Sequence, residues 1–264
     1  MSKTVHKLEH DFTYYPVAIF TFCFLWILYQ KAFPVLSRKL SKSYTSLPSR
    51  EQRQWNFRLV SSVHCSVVSL LCMYTLLFDE EIVLDPVWSD RPVVRISSAI
   101  VTGYTIADIF SMMINYEQNT KIFLFYLHHC VTIAANWCVF SFGIIPYFAN
   151  YRTMSEFSVL FYNLKVFFQQ TNMDRTSTLY TMNGCLFMFM FITARVLPIP
   201  RFWYMACYYF LYTDVTAALG TLRHLFVGIG LVLDILNITW GVQVMKVAHK
   251  NLTAAVQNIK SKLS

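Results

Sequence analysis

Two adjacent histidines, His128 and His129, stand inside an apolar run from Ile122 to Phe142 that is long enough to cross a bilayer. Ionisable side chains at membrane depth are costly, and where they occur they mark ligand paths, relays or binding sites. Imidazole takes up and gives back protons near neutral pH, and it can act as a nucleophile. At 100° per residue His128, Thr132 and Asn136 fall at i, i+4 and i+8. His129 lies three and seven residues before the last two. Both rings are therefore expected to address one inward polar seam.

Other predicted spans carry polar groups that could face the same interior: His64 on the second, Asp108 and Asn115 on the third, and Asp234 with Asn237 on the last. On the fifth, Arg152 and Glu156 are four residues apart, within pairing distance on one helix face, and Asn163 continues that stripe. A charge at the centre of a span costs about 2.5–3.5 kcal/mol on the insertion scale, so it persists where it has partners. Two uses are open. The groups could form interhelical hydrogen bonds that hold a bundle together, each worth about 0.6 kcal/mol on average. Alternatively, a histidine pair with a carboxylate downstream is acid–base equipment. The asparagines suit the first use and the histidines the second, while His64 suits either. Arg195 and Lys165, near predicted span ends, are expected to snorkel to the headgroups.

A metal site is not expected. Adjacent helical residues point about 100° apart and do not readily share an ion, and neither HExxH nor His-x3-His occurs. The seven cysteines all lie in or beside apolar runs, with no CxxC, and are expected to pack as small apolar side chains. No cofactor is implied.

The elements that must carry these residues follow from composition. The chain is 56% hydrophobic and only 14% charged over 264 residues, far from the roughly one-quarter charge of soluble domains. At about 20 residues per crossing it accommodates roughly seven spans, an all-α polytopic bundle, and little else. The runs are 16–36, 59–78, 93–114, 122–142, 146–168, 179–197 and 224–245, with 202–219 a partly inserted or lumenal segment after the breaker Pro198-Ile199-Pro200. The expected division is residues 1–49 for the N-terminus, first span and connector, 50–250 for the main domain, and 251–264 for the tail.

The net charge of +8 is concentrated beside spans, between Arg38 and Arg58 and between Lys246 and Lys262. That is the distribution of topology signals and anionic-lipid contacts, and no nucleic-acid motif accompanies it, so nucleic acid is not an expected partner. Placing the connector in the cytosol makes the Asp79–Asp90 loop and the N-terminus lumenal and the basic tail cytosolic. Lys260 and Lys262, in Lys260-Ser261-Lys262-Leu263-Ser264, then look like a dilysine retrieval signal of endoplasmic-reticulum membrane proteins.

His128-His129-Cys130-Val131-Thr132, followed 28 residues after the first histidine by the acidic Glu156, resembles the signature of the TLC family, named for its TRAM, LAG1 and CLN8 members. The resemblance covers about residues 50 to 250. It implies a barrel of transmembrane helices around a lipid cavity. In the catalytic members, the ceramide synthases, it implies acyl transfer from acyl-CoA to an amine with a histidine assisting. His128, His129 and Glu156 would be the corresponding catalytic positions. The synthases carry two aspartates three apart in the fifth helix; here Glu156 and Val159 stand at those positions, and valine cannot orient an imidazole. Comparison with the non-synthase members, which resemble regulators of membrane lipid composition, therefore leads. The expected partner is a membrane lipid or acyl chain, in lipid homeostasis. Acyl-CoA-dependent transfer to nitrogen or oxygen is the alternative, and a trafficking or cargo adaptor the second alternative.

Overall fold

The apolar runs form helices because a backbone in hydrocarbon must satisfy its own polar groups. The computed structural model describes residues 8–213 and 215–249 and traces the last helix on to Leu263. Among the described residues there is no strand, and six helices are long and apolar enough to cross a bilayer: α1 (Tyr15–Leu40), α2 (Ser49–Phe78), α3 (Pro92–Asn115), α4 (Thr120–Phe142), α7 (Thr178–Tyr212) and α8 (Leu222–His249). Between α4 and α7 the chain makes one more pass in two pieces, α5 (Pro146–Thr153) and α6 (Phe157–Gln170), joined by the tighter turn Met154–Glu156. This is a multi-pass helical membrane protein. Lys260 and Lys262 lie outside the described residues.

The helices close a ring. Going round, α2 packs on α3, α3 on α4, α4 on α8, α8 on α7, α7 on α6, and α6 back on α2. Outside the ring α1 lies along α3. Gly103 permits that approach: a Cβ there would stand 2.4 Å from the Ala18 carbonyl oxygen and 2.9 Å from Thr21 Cβ. Opposite ends of the ring carry opposite charge, because Asp79 to Asp90 lie between α2 and α3 whereas Arg50 and Arg53 open α2.

Three boundaries differ from the hydropathy pattern. The helix of the second span starts at Ser49 rather than Leu59, so Arg50, Arg53 and Arg58 ride on its first turns instead of in a connector. There the first two hold Asn115: Arg53 Nε donates to its Oδ1 (2.9 Å) and Arg50 Nε to its carbonyl (2.8 Å). The breaker Pro198-Ile199-Pro200 does not end α7. Proline lacks the N–H that closes a helical turn, and here a widened π turn, Ile192–Val196, absorbs the mismatch. Leu197 N–H bonds Ile192 O at 2.9 Å, and the helix runs on to Tyr212. The same device precedes Pro34, at Leu28–Ala32. Finally, the fifth pass changes pitch at Met154–Glu156.

The turn from α4 to α5 is built on left-handed backbone at Gly143 (φ 64°) and Ile145 (φ 51°). Gly143 caps α4 through its N–H to Val139 O, and a Cβ there would meet the Asp90 carboxylate at 2.7–2.9 Å. Ile145 is a β-branched residue in a region that such residues avoid, held by its N–H to Val87 O at 2.8 Å. Its side chain is buried at the acidic end with Phe148, Phe202, Phe210 and Phe226.

Candidate functional site

A cavity of about 100 Å³, partly open to the outside, lies between α4, α5, α7 and α8. Its wall is mostly apolar, from Val139, Phe148, Phe202, Phe210 and Phe226 near the acidic end to Ile229 and Leu233. A polar group of side chains closes it deeper down: His128, Thr132 and Asn136 of α4, Arg152 and Glu156 of the fifth pass, Arg195 of α7 and Asn237 of α8. His128 is nine residues beyond the cap Asn119, about 13 Å along the axis from the basic end at 1.5 Å per residue. The expected stripe His128, Thr132, Asn136 therefore faces one space.

His129 does not line that space. It is buried behind it, with Nε2 2.9 Å from Asp108 Oδ2 of α3. Tyr104 Oη, one turn before Asp108, is 3.3 Å from the same carboxylate oxygen and 3.1 Å from Ser61 Oγ. His64 of α2 stacks on the Tyr104 ring at 3.8 Å between centroids, and its Nε2 is 3.9 Å from Glu156 Oε2. His128 meets His129 edge-on at 5.6 Å and Trp240 at 5.4 Å. Four passes thus bring His128, His129, His64, Asp108 and Glu156 into one cluster, with His64 and His129 buried and the other three half-buried. Nδ1 of each of the three histidines is buried without a hydrogen-bond partner among the described residues. No group of three or more His, Cys, Asp or Glu side chains among the described residues is placed to hold a metal ion.

The expected Arg152–Glu156 pair is not made. Three-residue turns replace 3.6-residue turns at Met154–Glu156, so residues four apart no longer share a face. Arg152 instead forms a bidentate pair with Asp234 of α8, through Nη1 to Oδ1 and Nη2 to Oδ2 (2.8 Å for the second). Trp203 Nε1 donates to the same Oδ2 at 2.7 Å, and the guanidinium lies 3.7 Å from the centroid of the Phe202 ring. Asn163 is fully buried, accepting from Arg58 Nη1 (3.2 Å) and donating to Ser62 Oγ (3.2 Å).

Arg195 is not at a helix end and does not reach for headgroups. With α7 continuing past the prolines it sits in mid-helix, 8% exposed, donating from Nε to Ser158 Oγ (2.8 Å) and from Nη1 to Asn237 Oδ1 (3.2 Å). Lys165 lies along the Phe187 ring, 5.8 Å from its centroid.

Residues 54–246 match the model of the TLC domain, the family of TRAM, LAG1 and CLN8. The chain belongs to the TLC-domain family. It is 34% identical over 229 residues to TLC domain-containing protein 4-B of Danio rerio, covering 86% of each chain. With TLC domain-containing protein 4 of Homo sapiens it shares 31% identity over 232 residues, covering 87% of this chain and 86% of that one.

On the TLC barrel, Tyr104, beside Asp108, and Trp203, beside Asp234, are polar partners that the sequence pattern did not single out. Tyr104 carried a signal, since it lies four residues before Asp108 and shares its face. Trp203 and Arg195 carried none, because their depth depends on α7 running through two prolines.

Proposed function

We propose that this TLC-domain protein binds a lipid or acyl chain in the cavity between α4, α5, α7 and α8 and acts in membrane lipid homeostasis. The observation that carries this is the division of one space into an apolar length and a polar floor. The phenylalanines and aliphatic residues suit a hydrocarbon tail, while His128, Glu156 and Arg195 at the other end suit a polar head. Charge at the two ends of the barrel supports placing the basic end and C-terminus in the cytosol and the N-terminus in the lumen of the endoplasmic reticulum. A bound tail would then point to the lumenal end.

Mass spectrometry of the purified full-length chain tests this. Wild-type protein should retain a stoichiometric acyl lipid, and Gly230→Leu, which builds bulk into the cavity wall beside Phe202 and Trp203, should release it. Equal lipid retention by both proteins would refute the reading.

A second reading, acyl-CoA-dependent acyl transfer, is favoured by one contact. Asp108 supplies His129 with the orienting carboxylate that Val159 cannot, reaching it from another helix. In that reaction the His128 imidazole, facing the cavity with His129 held by Asp108 behind it, would take the acyl group from the thioester, releasing the thiol, and pass it to an amine or hydroxyl. A covalent acyl adduct after incubation with palmitoyl-CoA, lost in His128→Ala or His129→Ala, would establish it. Bound lipid without an adduct would leave binding as the function.

A further inference from the structure

Two charges at the cavity floor are left without a matching contact. Arg152 is neutralised by the bidentate Asp234, but Arg195 has no carboxylate in ion-pair contact among the described residues. Its Nε and Nη1 are satisfied by Ser158 and Asn237, while its Nη2 makes no hydrogen bond among the described residues. Glu156 likewise makes no hydrogen bond among them; His64 Nε2 stands at 3.9 Å, beyond hydrogen-bond reach, and the Arg195 charge is its main electrostatic partner through space. Both side chains line the same cavity, and one is a donor only and the other, ionised, an acceptor only.

Leaving such groups dry and unmatched is costly, and a ligand that fills both valences is correspondingly favoured. The charges at the cavity floor already balance. Arg152 and Arg195 stand there against Asp234 and Glu156, two of each sign. An anionic head, whether carboxylate or phosphate, would suit Arg195 but would add an uncompensated charge beside Glu156. A head with a carbonyl acceptor and no donor would leave Glu156 unmatched. A neutral head with a carbonyl for Arg195 and a hydroxyl for Glu156 satisfies both.

Resting on the acyl-cavity reading above, we propose that Arg195 and Glu156 together select a neutral, hydroxyl-bearing acyl ester, of the monoacylglycerol type, over free fatty acids and over esters without a hydroxyl. Arg195 donates to the ester carbonyl and Glu156 accepts from the hydroxyl, with the chain running toward Phe210 and Phe226.

The test uses the full-length chain in detergent micelles, with three radiolabelled probes sharing one chain: 1-monopalmitoylglycerol, methyl palmitate and palmitate. Monopalmitoylglycerol should bind at least tenfold more tightly than either of the others. Glu156→Leu should bring it to within about threefold of methyl palmitate, since the acceptor for the hydroxyl is gone, whereas Arg195→Met should weaken both esters by a similar factor, since both present the carbonyl. Equal binding of monopalmitoylglycerol and methyl palmitate by the wild-type protein would overturn the proposal, as would a preference for palmitate. This ranking decides the matter even where a variant fails to fold. Failure of all three probes to bind would sink the acyl-cavity reading itself, a different outcome from loss of selectivity alone.

Discussion

Arg152→Met should cost the barrel far more when made in the wild-type protein than when added to Asp234→Asn. The two side chains are 20% and 6% exposed, joined by two hydrogen bonds, with Trp203 donating to the same carboxylate. Removing one member of such a buried pair costs about 3–5 kcal/mol, because the survivor keeps its charge without its counterion. The Phe202 ring under the guanidinium adds up to about 2 kcal/mol when the contact is desolvated, a contribution that Asp234→Asn keeps and Arg152→Met loses. Arg152→Met is therefore the worse single change. A double-mutant cycle over Arg152→Met and Asp234→Asn should return a coupling of about 2–3 kcal/mol. The matching cycle with Glu156→Gln should be additive to within about 0.5 kcal/mol, since Glu156 and Arg152 share no contact. The assay is reversible unfolding in lipid–detergent micelles by added denaturing detergent, followed by circular dichroism. Additive Arg152 and Asp234 losses, or strong coupling of Arg152 to Glu156, would refute the assignment and restore the pair expected from i,i+4 spacing.

Three further outcomes follow from the geometry. Gly103→Val should displace α1 from α3 and cost at least about 1–3 kcal/mol, the usual range for overpacking, because even a Cβ would lie 2.4 Å from backbone oxygen; unfolding in the same micelles measures it. His129→Ala strands the Asp108 carboxylate and should lower stability more than His128→Ala, whereas His128→Ala should have the larger effect on lipid retained in the cavity. Asp11, ahead of the membrane segment, has its carboxyl held below the ordinary 3.8 by hydrogen bonds from the Thr13 side chain and backbone, with the Arg95 charge helping. With the folded value depressed, its contribution is complete above 3.8 and is lost as pH falls through the lowered value. Protease protection of residues 8–14 should accordingly decline below 3.8 in the wild type and lose that dependence in Asp11→Asn.

Much of the membrane architecture was legible before any coordinates, because crossing a bilayer is a local demand. A run such as Ile122–Phe142 is long and apolar whatever surrounds it. The histidine pair was legible for a related reason: imidazole in such a run stands out against its neighbours. The Arg152–Glu156 contact was misjudged because an i,i+4 rule assumes one pitch throughout, and the short turn at Met154–Glu156 breaks that assumption. Arg195 was misplaced because two prolines normally close a helix, and the π turn that lets α7 continue leaves no mark in composition.

From the amino-acid sequence alone came an all-α membrane body, its family signature and a stripe of His128, Thr132 and Asn136 on one side of one helix. These depend on residue type and on spacing along a single element. Tertiary structure alone decided which polar groups meet: His129 with Asp108, His64 with Glu156, Arg152 with Asp234, and Arg195 left facing the cavity. A charge in a bundle takes its partner from whichever neighbouring helix packs beside it at the same depth and rotation. Those offsets are set by ring closure and by small changes of helical pitch, neither of which is written in the spacing of any one segment.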